Sequence, residues 1–179
     1  MIDVQDGRTL IITKNVVELR TYNEQRINVT WETCTLRKYL NGEFLQKFTA
    51  EDQRRIAETR IPNPNNLWYG TAGGNDTTDK IFLLSLEEVD RYFGDSGDYQ
   101  SKRRIGYGYV SDDKGHLFSN AHDSKRISKY NNETWWWWLR SPGYSNCAAN
   151  VCHDGIVGVG GLDGRANVGG VRPALWLNL

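Results

Sequence analysis

Residues 135–138 read Trp-Trp-Trp-Trp, and a chain carrying that run needs a wide core to receive it. An extended strand sends alternate side chains to opposite faces, so the run is expected to put two rings inward and two on the reverse face. The inward pair is core, and the other pair is a candidate floor beneath a binding surface. The segment after the run is opposite in character. Cys147 to Gly170 reads CAANVCHDGIVGVGGLDGRANVGG, rich in glycine and nearly free of charge. The last Gln is Gln100, the last Lys is Lys129 and the last Glu is Glu133. Beyond residue 140 the charged residues are Asp154, Asp163, Arg165 and Arg172 alone.

The rest of the composition excludes several classes. A chain of 179 residues fits one domain, 1–179, with a substantial core. Formal charge is zero, which leaves no electrostatic footprint for nucleic acid or an anionic bilayer. The basic run Lys102-Arg103-Arg104 is preceded by Asp95 and Asp98 and reads as a solvated face. No apolar stretch reaches the roughly 20 residues that span a bilayer, so membrane insertion is not expected. The N-terminal stretch lacks a basic segment followed by an apolar one, which argues against a secretory signal and for synthesis in a cytosol. Cys34, Cys147 and Cys152 are odd in number and too few for a disulfide scaffold. Cys34, in an apolar-periodic segment, reads as core.

Local patterns predict an α+β chain, with helices early and a sheet with long loops late. Residues 9–21 are β-branched and apolar, broken at Lys14-Asn15, and read as strand. Leu36, Tyr39 and Leu40 recur at helical spacing behind Thr33 or Thr35 as cap, and Asn41-Gly42 offers a stop. Thr49 caps a second helix at about 50–58. Lys80–Leu84 reads as a short buried strand. Ser85 and Glu88 form a capping box that opens a helix through Leu86, Val89 and Phe93. The closing VRPALWLNL alternates like a strand able to tie the C-terminus into a sheet. No fixed-period repeat is present.

Cys147, Cys152 and His153 are the residues with chemistry to offer. Their spacing is looser than that of structural zinc pairs, and a fourth ligand is missing nearby, since His116 and His122 lie in a separate polar stretch. As a Cys/His nucleophile the set would need convergence of base and orienting group, for which Asp154 is the sequence neighbour. The surroundings are not electropositive, as an activated thiol prefers. The glycines Gly155, Gly158, Gly160, Gly161 and Gly164 match neither a dinucleotide fingerprint nor a phosphate loop. Enzyme, metal site and structural module of a larger assembly therefore stay as alternatives to a binding protein.

Longer motifs point further. WWLRSPG at 137–143, Ala148-Ala149, Asp154-Gly155 and GGVRPALWLNL at 169–179 form one set, with TWETCTLRKYLNGEF at 30–44, FTAEDQRRI at 48–56 and NDTTDKIFLLSLEEVDRYF at 75–93 upstream. Together they resemble an uncharacterised bacterial and phage domain family, itself similar to the formylglycine-generating-enzyme type of C-type-lectin fold. The likeness spans about residues 9–179. In that fold type, variable proteins of diversity-generating retroelements carry a C-terminal segment whose template adenines are substituted during reverse transcription. Codons varied in that way cannot encode Lys, Glu, Gln, Met or Trp, and none of these five occurs from Ser141 to Leu175.

The resemblance thus implies a C-type-lectin-like fold, formylglycine-generating-enzyme subtype, and a non-enzymatic receptor-recognition protein without cofactor or metal. Its partner would be a protein or a surface glycan, and its setting a virion or a displayed surface. Residues 141–170 become the candidate variable region. Its variable positions are expected to be Asn146, Cys147, Asn150, Cys152, His153, Ile156, Gly158, Val159, Gly160, Leu162, Asp163, Arg165, Ala166, Asn167 and Val168. Ala148, Ala149, Val151 and Val157 would anchor the backbone, with Gly155, Gly161 and Gly169 permitting turns. Trp137, Trp138, Arg140 and Arg172 would be scaffold, the two arginines holding loop carbonyls. The active-site cysteines of the formylglycine-generating enzymes and the calcium-linked sugar motifs of animal lectins have no counterpart here.

Overall fold

A computed structural model describes residues 1–25, 27–94, 109–112, 115–165 and 168–179, with backbone only for 109–112 and 115–117. The Lys102–Arg104 run lies outside the described residues. The chain is α+β.

The first strands are β1 (Asp3–Gln5) and β2 (Arg8–Ile12). They are joined through Asp6 and Gly7, both at positive φ (49° and 71°), the Asp-Gly turn that suits strand twist. β3 (Glu18–Arg20) follows the break at Lys14-Asn15. α1 (Thr35–Tyr39) is capped by Cys34, whose Sγ accepts from the Arg37 amide at 3.4 Å. Cys34 is thus both core and cap. Asn41-Gly42 does not stop the chain's coiling, which continues as a π turn (Leu40–Phe44) and a 3-10 turn (Leu45–Lys47). The cause is tertiary: Asn41 Nδ2 donates to Ile81 O at 2.8 Å, and its Oδ1 accepts from the Lys80 and Ile81 amides.

α2 (Ala50–Arg55) starts at Thr49, whose hydroxyl accepts from the Asp52 amide at 3.1 Å. β4 (Thr59–Ile61) and β5 (Thr77–Asp79) form a separate small ladder. Residues 81–84 are buried but make only one bridge, Phe82 with Ala174, instead of the expected strand. α3 (Leu86–Phe93) has the full capping box, in which the Glu88 amide donates to Ser85 Oγ and the Ser85 amide donates to Glu88 Oε2. β6 (Tyr109–Asp112), β7 (Gly115–Phe118), the single turn α4 (Asp123–Arg126), β8 (Ser128–Tyr130) and β9 (Glu133–Trp135) lead to the tryptophan run. Then come β10 (Trp137–Pro142), β11 (Cys147–Val151), β12 (Val157–Asp163), β13 (Gly169–Val171) and β14 (Ala174–Asn178).

Among the described residues the large sheet has the order β3-β13-β10-β11-β12-β7-β6, antiparallel except for β10 with β13. A smaller sheet, β1-β2-β14, joins the two chain ends through a ladder from Ala174–Ile12 to Asn178–Arg8.

The tryptophans do not alternate as one strand. The run is divided at Trp136, which belongs to neither strand: Trp135 ends β9 while Trp137 and Trp138 begin β10. Both of the latter are wholly buried although they are neighbours, because each face of β10 is covered: the Tyr22 ring packs on Trp138 at 5.7 Å, and Phe93 and Arg172 pack on Trp137. Trp137 Nε1 donates to Arg126 O at 3.1 Å and Trp138 Nε1 to Arg20 O at 2.9 Å, so neither indole N–H is stranded. A buried indole removes on the order of 150–250 Å² from water, worth roughly 4–6 kcal/mol.

Those rings also explain glycine in the C-terminal segment. A Cβ at Gly169 would strike the rings of Trp136 and Trp138, and one at Gly170 the Trp136 carbonyl. Gly169 is therefore required by ring packing and not, as expected, by a turn.

Candidate functional site

β10 and β11 are joined by a tight turn. Gly143 N donates to Cys147 O at 2.8 Å and Cys147 N to Tyr144 O at 3.0 Å, with Ser145 at φ 55°. Gly143 lies against the Gly160 carbonyl, where a Cβ would collide, and Tyr144 N donates to that same carbonyl at 2.8 Å. The turn is thus fastened to β12, and Tyr144 projects from it with 63% of its surface exposed. Beside it, Asn146 Nδ2 donates to Asp163 Oδ2 at 3.1 Å, and Asp163 Oδ1 accepts from the Arg165 amide at 3.0 Å.

Two loops from the first half of the chain are laced onto this end. Asn66 is buried, and its Nδ2 donates to Pro142 O at 2.7 Å and Val159 O at 3.0 Å. Its Oδ1 accepts from the Trp68 and Tyr69 amides at 2.9 and 3.3 Å. That double role holds the loop 66–71 in place and brings the Tyr69 ring to 5.4 Å from that of Tyr144. The loop after β3 joins through the Tyr22 and Asn23 amides, which donate to Gly164 O at 2.8 and 3.2 Å. It in turn contacts the Gly74 region through Thr30, and Glu32 accepts from the Asn75 amide at 3.2 Å. Segments 22–25, 27–33, 62–76, 143–147 and 160–165 therefore form one connected loop cluster.

The other end of β11 is a second, separate structure. Cys152 N donates to Ile156 O at 2.7 Å and Gly155 N to Cys152 O at 3.0 Å, closing a tight loop with Gly155 at φ 89°. Arg126, wholly buried, donates from Nε to Gly155 O at 2.8 Å and pairs with Asp123. Its carbonyl receives the Trp137 indole, so one residue fixes both the loop and the ring.

The fifteen expected variable positions therefore do not form one solvent-facing set. Asn146, Cys147, Leu162, Asp163 and the exposed Arg165 gather at the Tyr144 end. Cys152, His153 and Ile156 lie at the far end, with Cys152 about 16 Å from Cys147 at a strand's rise of ~3.3 Å per residue. His153 is exposed, while Cys152 and Ile156 are half-buried. Val168 is 52% exposed, and Ala166 and Asn167 lie outside the described residues. Asn150, Gly158, Val159 and Gly160 are buried, which corrects the expectation that they face solvent. β11 and β12 are interior strands, and Asn150 occupies the space that a Cβ on its cross-strand partner Gly158 would need.

The scaffold expectations also change in detail. Arg140 is buried and donates to Leu83 O at 2.8 Å, to Pro62 O at 3.1 Å and to the Glu88 carboxylate. Arg172 donates to Thr13 O at 2.9 Å from Nη2 and lies 4.4 Å over the Trp137 ring. Burial lowers its pKa to about 10. Arg140 holds carbonyls of the first half of the chain, Arg172 holds those of Thr13 and, from Nη1 at 3.5 Å, of Arg126, and neither holds one of the 141–170 segment. Arg126 and Asn66, which hold that segment, carry no sequence signal beyond being single polar residues in weakly patterned stretches.

Cys147 and Cys152-His153 sit at opposite ends of β11 and do not converge. Among the described residues no group of three or more His, Cys, Asp or Glu side chains is placed to hold a metal ion. Among the same residues no helix is long and apolar enough to cross a membrane.

The family described as a domain of unknown function, DUF6273, matches residues 6–179. The chain belongs to this family. The match takes in every strand from β2 to β14, so the loop cluster lies wholly within the DUF6273 domain. No curated protein and no solved structure matches the chain.

Proposed function

We propose that this DUF6273 chain is a non-enzymatic recognition protein with a C-type-lectin-like fold, formylglycine-generating-enzyme subtype, whose exposed C-terminal positions are diversified by a retroelement. The observation that carries the reading is the decoupling of rim from core around β11 and β12. Ala148, Ala149, Val151 and Val157 are buried, while Asn146, Cys147, His153, Leu162 and Arg165 reach solvent to varying degrees. A surface that must accept many side chains needs that separation, and loops on a rigid sheet supply it. The absence of Lys, Glu, Gln, Met and Trp from 141–175 agrees with it.

The test is a block replacement of Asn146, Cys147, His153, Leu162 and Arg165 by serine. Binding to intact microbial cells that the native chain labels, read by flow cytometry, should be lost. The melting temperature should fall by no more than about 4 °C, the equivalent of roughly 1 kcal/mol in a chain of this size. Retained labelling, or a fall beyond about 10 °C, overturns the proposal.

A further inference from the structure

We infer that the ledge made by Tyr69 and Tyr144, with the Asn146–Asp163 pair beside it, takes the flat face of a pyranose ring in a neutral glycan. The inference rests on the recognition reading above and gives that surface a ligand class. Its first support is exposure. Among the described residues Tyr144 is the one aromatic side chain that is largely exposed, whereas the other exposed large apolar residues are aliphatic. An aromatic ring left in water on a pinned backbone is a ready contact surface, because little conformational freedom remains to be lost on binding.

The second support is the shape. The two rings meet at 5.4 Å with a 53° tilt, so they touch and form one angled aromatic edge. A continuous apolar ledge suits the C–H face of a sugar better than the groove-seeking extended peptides. Both rings are fixed from below, Tyr144 through Gly160 O and Tyr69 through the buried Asn66.

The third support is polar. Two residues along the same turn, the Asn146 amide holds the Asp163 carboxylate at 3.1 Å, and the Arg165 amide fixes the other carboxylate oxygen. An oriented carboxylate and amide offer acceptor and donor to neighbouring hydroxyls, and hydroxyl-to-carboxylate bonds are among the stronger ones. Asp163 repels an acidic sugar placed against it, and the contact shown for Arg165 is through its backbone amide, so the polar groups on offer suit neutral hydroxyls. No calcium is needed in this arrangement.

The experiment titrates the full chain, in EDTA, with neutral oligosaccharides of glucose, mannose, galactose and N-acetylglucosamine, and with one sialylated oligosaccharide. Binding is read by saturation-transfer NMR and calorimetry. At least one neutral sugar should bind saturably, and Tyr144→Ala should weaken it about ten-fold with the melting temperature unchanged. Val4→Ala, an exposed control on β1, should bind as the native chain does. If no neutral sugar binds, if the sialylated one is preferred, or if Tyr144→Ala has no effect, the inference is overturned. Loss of cell labelling in Tyr144→Ala with every sugar silent would overturn the glycan assignment alone and leave the recognition surface standing.

Discussion

The side-chain amide of Asn66 donates to the Val159 carbonyl at 3.0 Å, joining a loop of the first half of the chain to the interior strand β12. It also donates to Pro142 O and accepts two amides of its own loop, so the side chain is fully used and buried. Replacement by alanine strands two carbonyls and two amides at once. Asn66→Ala should cost about 2–4 kcal/mol, more than the typical single hydrogen bond, measured by urea unfolding. It should also detach the Tyr69 ring, seen as loss of the Tyr69–Tyr144 cross-peaks in NMR.

Glycines in the C-terminal segment divide by what they touch. Gly161 has φ 73° and faces the Ala148 carbonyl, and Gly155 has φ 89° and faces the Asp123 carbonyl. Alanine at either meets backbone that cannot yield, in a conformation it disfavours. Gly161→Ala and Gly155→Ala should each destabilise by about 2–4 kcal/mol, whereas His153→Ala should stay within about 0.5 kcal/mol. Thermal unfolding of the three variants side by side checks the contrast.

Burial raises the Cys34 thiol from 9.0 to about 12, and the Tyr22 hydroxyl beside it also rises well above its usual value, again by burial. An acid whose folded pKa is raised holds its proton longer when folded. Its stabilising contribution is complete below the unfolded pKa and is lost as pH climbs through the folded one. Stability should therefore decline from about pH 9 toward pH 12. In Cys34→Ser, which keeps an N-cap acceptor, the onset should move up to the tyrosine range near pH 10. Urea midpoints between pH 8 and 11 test this, and an unchanged onset would contradict the assignment.

Local chemistry was legible where the capping residue is of a usual type, and missed at α1, where Cys34 caps in place of the expected Thr33 or Thr35. Thr49 and Ser85–Glu88 read correctly as caps because each is satisfied within three residues. The closing strand was legible from its alternation. Where a distant partner decides, the reading failed. Asn41-Gly42 looks like a stop until Ile81 and Lys80 engage the Asn41 side chain. Trp137 and Trp138 looked like opposite faces of a half-exposed strand, and the cover on the two sides comes from distant residues, Tyr22 on Trp138 and Phe93 with Arg172 on Trp137. The rim was half legible for the same reason. Composition marks the segment 141–175, but the burial of Asn150 and Val159 depends on what packs over β11 and β12, which no single-strand pattern reveals. Asn66 and Tyr69, far away in sequence, could not be assigned to the rim from the segment itself.

The central claim is that exposed rim positions vary while packed ones are fixed. It is tested most directly by sequencing this gene's 3′ end and its flanking DNA in many sibling clones. The account predicts substitutions at the codons of Asn146, Cys147, His153, Leu162 and Arg165. It predicts constancy at Ala149, Gly155, Gly161 and Gly169, and a near-repeat of the segment beside a reverse transcriptase gene. Siblings identical across the segment with no such repeat, or substitutions falling equally on Gly155, Gly161 and Gly169, would contradict it.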